Sequence, residues 1–180
     1  MQNVAQNRTD LNLNDAVLGV PEEPGQYLTF TLGGEDYAID ILRVMEIKGW
    51  ESVRPLPNTP EYVKGVMDLR GQIVPVVDLR ARFFMERVDY TPTTVTVILS
   101  VESQGNSSVI GVVVDSVSDV LEVEQKQIQS ASNLGMHINV CYMSGMVIHS
   151  SKMIVLLDID KLLNPDEMGV DPNMNMKGGV

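Results

Sequence analysis

The sequence predicts a mainly β fold built from two small, related units, each closing into a barrel. Apolar residues alternate with polar ones over short runs, the pattern of half-buried strands, and turn-forming clusters separate the runs. One spacing also occurs twice: Gly65 precedes Asp78 by thirteen residues, and Gly145 precedes Asp158 by the same count. Residues 73–79 then align with 153–159 at an offset of 80, and residues 38–47 align with 111–120 at an offset of 73. The seven-residue difference falls in the connection after Val123. The units are placed at 27–84 and 93–163, where closure of each would remove exposed strand edges.

Taken in order, residues 1–24 are rich in Asn, Gln and Asp and read as a disordered tail. Leu28, Phe30 and Leu32 alternate with Thr29 and Thr31; after the turn residues 33–36, Tyr37, Ile39 and Ile41 alternate on the return of a hairpin. In the following strand Met45 and Ile47 share one face and Val44, Glu46 and Lys48 the other, which puts Val44 outward beside two charges. Thr59-Pro60-Glu61 reads as the start of one helical turn stopped near Gly65. Leu69-Arg70-Gly71 is a turn leading into the β-branched run 73–77, with Pro75 placing that strand at an edge or a bulge.

A helical turn is expected over 81–84, then strands over 95–101, 109–115 and 117–123. Residues 124–136 read as loop with one turn, 142–149 and 153–158 as a hairpin around Ser150-Ser151, and 159–163 as a closing helical turn. The ordered domain is expected over 25–164, and 165–180 as a flexible tail. Leu28, Phe30, Ile39, Ile41, Val76, Val112, Val114 and Leu156 are the expected core.

The net charge of −11 opposes nucleic-acid binding, which needs a basic surface. The single cysteine, Cys141, excludes an internal disulfide and is expected to be a small buried hydrophobe; with only His137 and His149 beside it, no metal site or cofactor is indicated. No carboxylate pair is flanked by a nucleophile and a base, so no catalytic residues are assigned. The chain shows neither a signal peptide nor a membrane-length apolar run, and a cytoplasmic location is expected.

The stretch Pro60…Lys64-Gly65-Val66, Asp68-Leu69-Arg70-Gly71 and Val74-Pro75-Val76-Val77-Asp78-Leu79-Arg80 resembles the CheW family of bacterial chemotaxis coupling proteins. The resemblance begins at Tyr27, returns at Gly111-Val112-Val113-Val114-Asp115 and ends at Asn164. It implies two SH3-like, five-stranded β-barrels with strands crossing between the halves. It also implies a non-catalytic adaptor, without a cofactor, that couples the cytoplasmic tips of chemoreceptors to the regulatory domain of the histidine kinase CheA. The adaptor would be recruited to membrane-associated arrays without inserting into the membrane. Positions matching Val44, Glu46, Arg70, Val95 and Thr96 are implied in receptor contact, and Gly65 and Gly145 match glycines sensitive to substitution. Their local reading is backbone shape in paired turns.

Asp68 stands where the family usually has Asn, adding a negative charge beside Arg70. Arg70 has no counterpart in the second unit, where Ser150 stands, so the fold itself does not require that charge. Two other functions fit the residues less directly. One is a coupler for a different array, governing surface motility or gene expression. The other is a small-ligand-binding β-barrel, which would need a concave apolar pocket with convergent polar groups.

Overall fold

A computed structural model describes residues 22–131 and 138–170. The expected N-terminal tail lies outside them up to residue 21, as do His137 and the chain beyond Val170. The strands are β1 (Gly25–Leu32), β2 (Glu35–Asp40), β3 (Val44–Gly49), β4 (Val63–Leu69), β5 (Gln72–Asp78), β6 (Val95–Ser103), β7 (Asn106–Val114), β8 (Ser116–Val123), β9 (Met143–His149) and β10 (Lys152–Leu157). Among the described residues three short helices, α1 (Leu79–Arg82), α2 (Ile159–Leu162) and α3 (Pro165–Met168), complete the regular elements beside single 3-10 turns.

The strands form two five-stranded sheets, ordered β8-β1-β2-β10-β9 and β3-β6-β7-β5-β4. The two orders are the same pattern, with β1–β5 and β6–β10 exchanging places. Each repeat therefore lends its first hairpin to the sheet that holds the rest of the other repeat. The division at 27–84 and 93–163 is corrected by this exchange, since neither range contains a sheet of its own. The crossing has a local cause. Asp40 accepts a hydrogen bond from the Leu42 amide at 2.9 Å and caps a 3-10 turn, Ile41–Arg43, that turns the chain out of the first sheet before β3. Alternation shows which residues face a core but not which sheet they join.

The duplication appears in the pairing register. In the first sheet β10 runs parallel to β2 with Leu156 opposite Ala38; in the second, β5 runs parallel to β7 with Val76 opposite Gly111. Those pairs reproduce both sequence offsets. Asp78 and Asp158 cap the N-termini of α1 and α2 through their side chains. Their own amides donate to the carbonyls of Tyr62 and Tyr142, each at 2.8 Å. Arg80 pairs with Asp115 and Arg43 with Asp160, so each helical turn is tied to a strand corner with the charges reversed between the two halves.

One apolar core runs through both sheets, from Leu28, Phe30 and Tyr37 to Val77, Val97, Leu99 and Val112. Phe30 lies against Tyr37 at 6.0 Å between ring centres, and Tyr37 against Phe83 at 5.9 Å. Burying side chains of this size contributes about 1.5–3 kcal/mol each. Of the eight expected core residues seven are buried; Ile41 is half-buried, because it lies in the 3-10 turn and not in a strand.

Other expectations are revised. No helix forms at Thr59–Gly65; the Val63 amide donates to the Pro60 carbonyl at 2.9 Å in a single turn, and Gly65 lies inside β4. β5 is an interior strand, and Pro75 is tolerated because the ladder to β7 starts only at Val76. Cys141 is exposed, in the 3-10 turn Val140–Tyr142 capped by Asn139. Residues 165–170 are not a tail: Met168 and Val170 are buried, with the turn at Gly169 in the left-handed region (φ 63°).

Candidate functional site

The β4–β5 hairpin closes through two residues only, since Leu69 pairs with Gln72. Arg70 and Gly71 both have positive φ, 54° and 85°, the geometry of a tight type I′ turn. Glycine is free in that region, whereas arginine there costs about 1–2 kcal/mol. Asp68 steadies the turn by accepting the Gly71 amide proton at 2.7 Å. An asparagine would offer the same acceptor. The turn lifts the Arg70 side chain to 77% exposure, and its guanidinium reaches Glu46 of β3 at 2.9 Å.

β3 and β4 are opposite ends of their sheet, so this contact spans a curled surface. The segment after β3 also reaches β4. Arg54 and Val66 exchange both backbone hydrogen bonds, at 2.8 and 2.9 Å, and Gly65 is what permits the approach. A Cβ on Gly65 would lie 2.1 Å from the Arg54 carbonyl oxygen, at φ 146°. Gly145 has the matching place in β9, where a Cβ would meet Ile128 Cγ2 at 2.4 Å beside the Gln129–Met146 bridge. Both glycines thus sit in strands and not in turns, and both admit a crossing backbone.

The face of β3 is the reverse of the expected one. Val44 is half-buried against the core, while Met45 and Ile47 are 56% and 43% exposed. A bulge at Met45 sets Val44 opposite Leu99 and Glu46 opposite Ile98, two steps along β3 for one along β6. Sequence alternation carries no sign of that extra residue. Leu42, in the preceding turn, is 86% exposed.

Val95 is half-buried against the core, and Thr96 is 3% exposed on the floor of a cleft of about 260 Å³. Gly49, Arg54, Met67 and Asp68 line its walls. The five positions expected to contact a receptor therefore divide. Glu46 and Arg70 meet at the surface, Thr96 lies beneath it, and Val44 and Val95 are mostly packing residues.

The second sheet presents a different tip. Ser150 and Ser151 occupy the turn between β9 and β10 at φ 50° and 62°, and the opposed pair Ile148 and Met153 is 65% and 39% exposed. Among the described residues no three His, Cys, Asp or Glu side chains are grouped for metal binding.

Comparison with known proteins agrees with this architecture. Residues 26–167 match the family model of the CheW-like domain. The chain is 42% identical to the chemotaxis protein CheW of Klebsiella aerogenes over 149 residues, covering 83% of this chain and 87% of that one. The chain belongs to the CheW family. It is also 34% identical to the Treponema pallidum CheW over 155 residues, covering 84% of this chain and 89% of the relative. The crystal structure of the scaffolding protein TtCheW from Thermoanaerobacter tengcongensis superposes with a TM-score of 0.71 at 27% identity, covering 80% of this chain and 90% of that one. As a CheW-family member the protein is a non-catalytic chemotaxis adaptor linking receptors and the kinase CheA.

Proposed function

We propose that the two sheets divide the adaptor's contacts, the second sheet receiving the receptor tip and the first meeting the regulatory domain of CheA. The observation that carries this is the asymmetry of the two hairpin tips. One holds an exposed arginine in a strained turn beside Glu46 and next to the exposed Met45 and Ile47. The other holds two serines above the apolar pair Ile148 and Met153. A helical receptor hairpin fits the first kind of surface, with apolar anchors flanked by a guanidinium fork aimed at a carboxylate or carbonyl. An apolar strand tip with a lysine, Lys152, at its side and no arginine in its turn fits an end-on contact between β-domains.

We read each sheet as an SH3-like barrel. The Arg70–Glu46 pair and the Arg54–Val66 bridge support closure of the second sheet, and the Gln129–Met146 bridge supports that of the first. No helix among the described residues is long and apolar enough to cross a membrane, which fits a cytoplasmic protein that reaches membrane-associated arrays through its partners.

Isothermal titration of a receptor-tip fragment against the wild type and Arg70→Ala tests the assignment. Loss of a central anchor of about 2 kcal/mol weakens binding about 30-fold, with CheA regulatory-domain binding unchanged. Equal receptor affinity for both proteins places the receptor elsewhere.

A further inference from the structure

Arg82 is used by neither proposed contact surface, yet its side chain is only 11% exposed and touches both halves of the molecule. It extends from α1, which follows β5 of the second sheet. Its guanidinium carbon lies 4.8 Å from the centre of the Tyr62 ring and 5.0 Å from that of Tyr142. These tyrosines stand 80 residues apart and are repeat mates: Tyr62 precedes β4 in the second sheet, and Tyr142 precedes β9 in the first. Arg82 also donates from Nη2 to the Tyr142 hydroxyl at 2.9 Å and from Nε to the Leu162 carbonyl at 3.3 Å. Glu167 of α3 approaches at 3.5 Å. Leu162 is itself the repeat mate of Arg82, so one repeat supplies the cation and the other the acceptor.

We propose that Arg82 is a latch fixing the angle between the two sheets, and so the geometry in which the adaptor presents its two partners to one another. The apolar core shared by the sheets is cohesive but non-directional. A planar fork held within about 5 Å of two ring centres and bonded to two oxygens specifies an orientation. Lysine would keep the charge but lacks the rigid fork that reaches the Tyr142 hydroxyl and the Leu162 carbonyl at once. The inference rests on the division of contacts proposed above, and its test separates the two.

In a Cys141→Ser background, spin labels are placed at Glu102→Cys on β6 and Glu122→Cys on β8, both exposed and on different sheets. Double electron–electron resonance is expected to give one narrow distance distribution for Arg82 and a broader one for both Arg82→Met and Arg82→Lys. With unlabelled protein, receptor-tip fragment and CheA regulatory domain are each expected to bind Arg82→Met as they bind the wild type. Their joint binding weakens about tenfold, within the usual range of coupling between sites. A folded Arg82→Met with an unbroadened distribution, or with full joint binding, overturns the latch. Failure of either partner to bind the wild type alone overturns the division of contacts instead.

Discussion

The two hairpin tips, Arg70-Gly71 and Ser150-Ser151, occupy equivalent turns in sheets of the same strand order, yet their chemistry differs. Both put a non-glycine residue in the left-handed region at the first turn position. In the first tip that conformation projects an ion-paired arginine, with Asp68 bracing the turn. In the second it projects a short hydroxyl above Ile148 and Met153, with Lys152 beyond the turn. A duplicated fold needs a tight turn at both places but a particular side chain at neither. What differs between the tips is therefore available for recognition, and what they share belongs to the fold.

The shared part is tested by the largest effect. Phe30 belongs to a core that includes residues of both sheets, and Phe30→Ala is expected to cost about 3–5 kcal/mol. Because that core is common, Trp50 fluorescence and far-ultraviolet circular dichroism should report one coincident unfolding transition in urea. Two separate transitions would mean that the sheets are independent and that comparing their tips as equivalents is unsound.

The paired glycines sharpen the comparison at a smaller scale. At Gly65 an added Cβ meets a backbone carbonyl at positive φ, whereas at Gly145 it meets the Cγ2 methyl of the Ile128 side chain first. Gly65→Ala is expected to destabilise by about 3–4 kcal/mol, combining strain with overpacking, and Gly145→Ala by about 1–2 kcal/mol. Chemical denaturation of both variants measures the difference. Equal losses would show that the crossing chains press on β4 and β9 alike.

Much of this architecture was legible in the sequence because the repeat carries two kinds of mark. The Gly-to-Asp spacing records a strand–turn–strand–cap unit, and both aspartates do cap helices. Period-2 alternation identified seven buried residues because a strand facing one core has no other solution. The exchange of hairpins was not legible in the residues themselves, since pairing partners leave no trace in either strand's own pattern. The candidate site was half legible. Arg70 stands in only one of two similar turns, but the face of Val44 is not legible, because the apolar pair Met45 and Ile47 points outward while the alternation itself runs unbroken. The exposed Met45 and Ile47 were consequently missed.

Relaxing each turn separates strain from function more finely. Ser150→Gly and Arg70→Gly each remove a residue from the left-handed region, and each is expected to stabilise the fold by about 1 kcal/mol or less after the entropy of the glycine is counted. The exposed Arg70–Glu46 pair offsets little of that gain. Thermal melts should thus rise slightly for both variants, while receptor-dependent kinase stimulation falls only for Arg70→Gly. A loss of stimulation with Ser150→Gly would mean that both tips touch the receptor.

The smallest effect is expected at Asp68. Its carboxylate accepts the Gly71 amide proton at 2.7 Å, and the amide oxygen of asparagine can accept the same bond. Asp68→Asn should therefore leave stability within about 0.5 kcal/mol of the wild type, the range of ordinary surface changes. The two forms differ in charge at a turn whose neighbour is the exposed Arg70. A negative charge there opposes an acidic group approaching the guanidinium, so its removal should tighten receptor binding. That gain should be larger at about 0.01 M salt, where the screening length is about 30 Å, than at about 0.15 M, where it is about 8 Å. Titrations of one receptor fragment at the two ionic strengths provide the comparison. An affinity that does not change with the substitution at either salt concentration would show that the receptor meets Arg70 from the Glu46 side, away from Asp68.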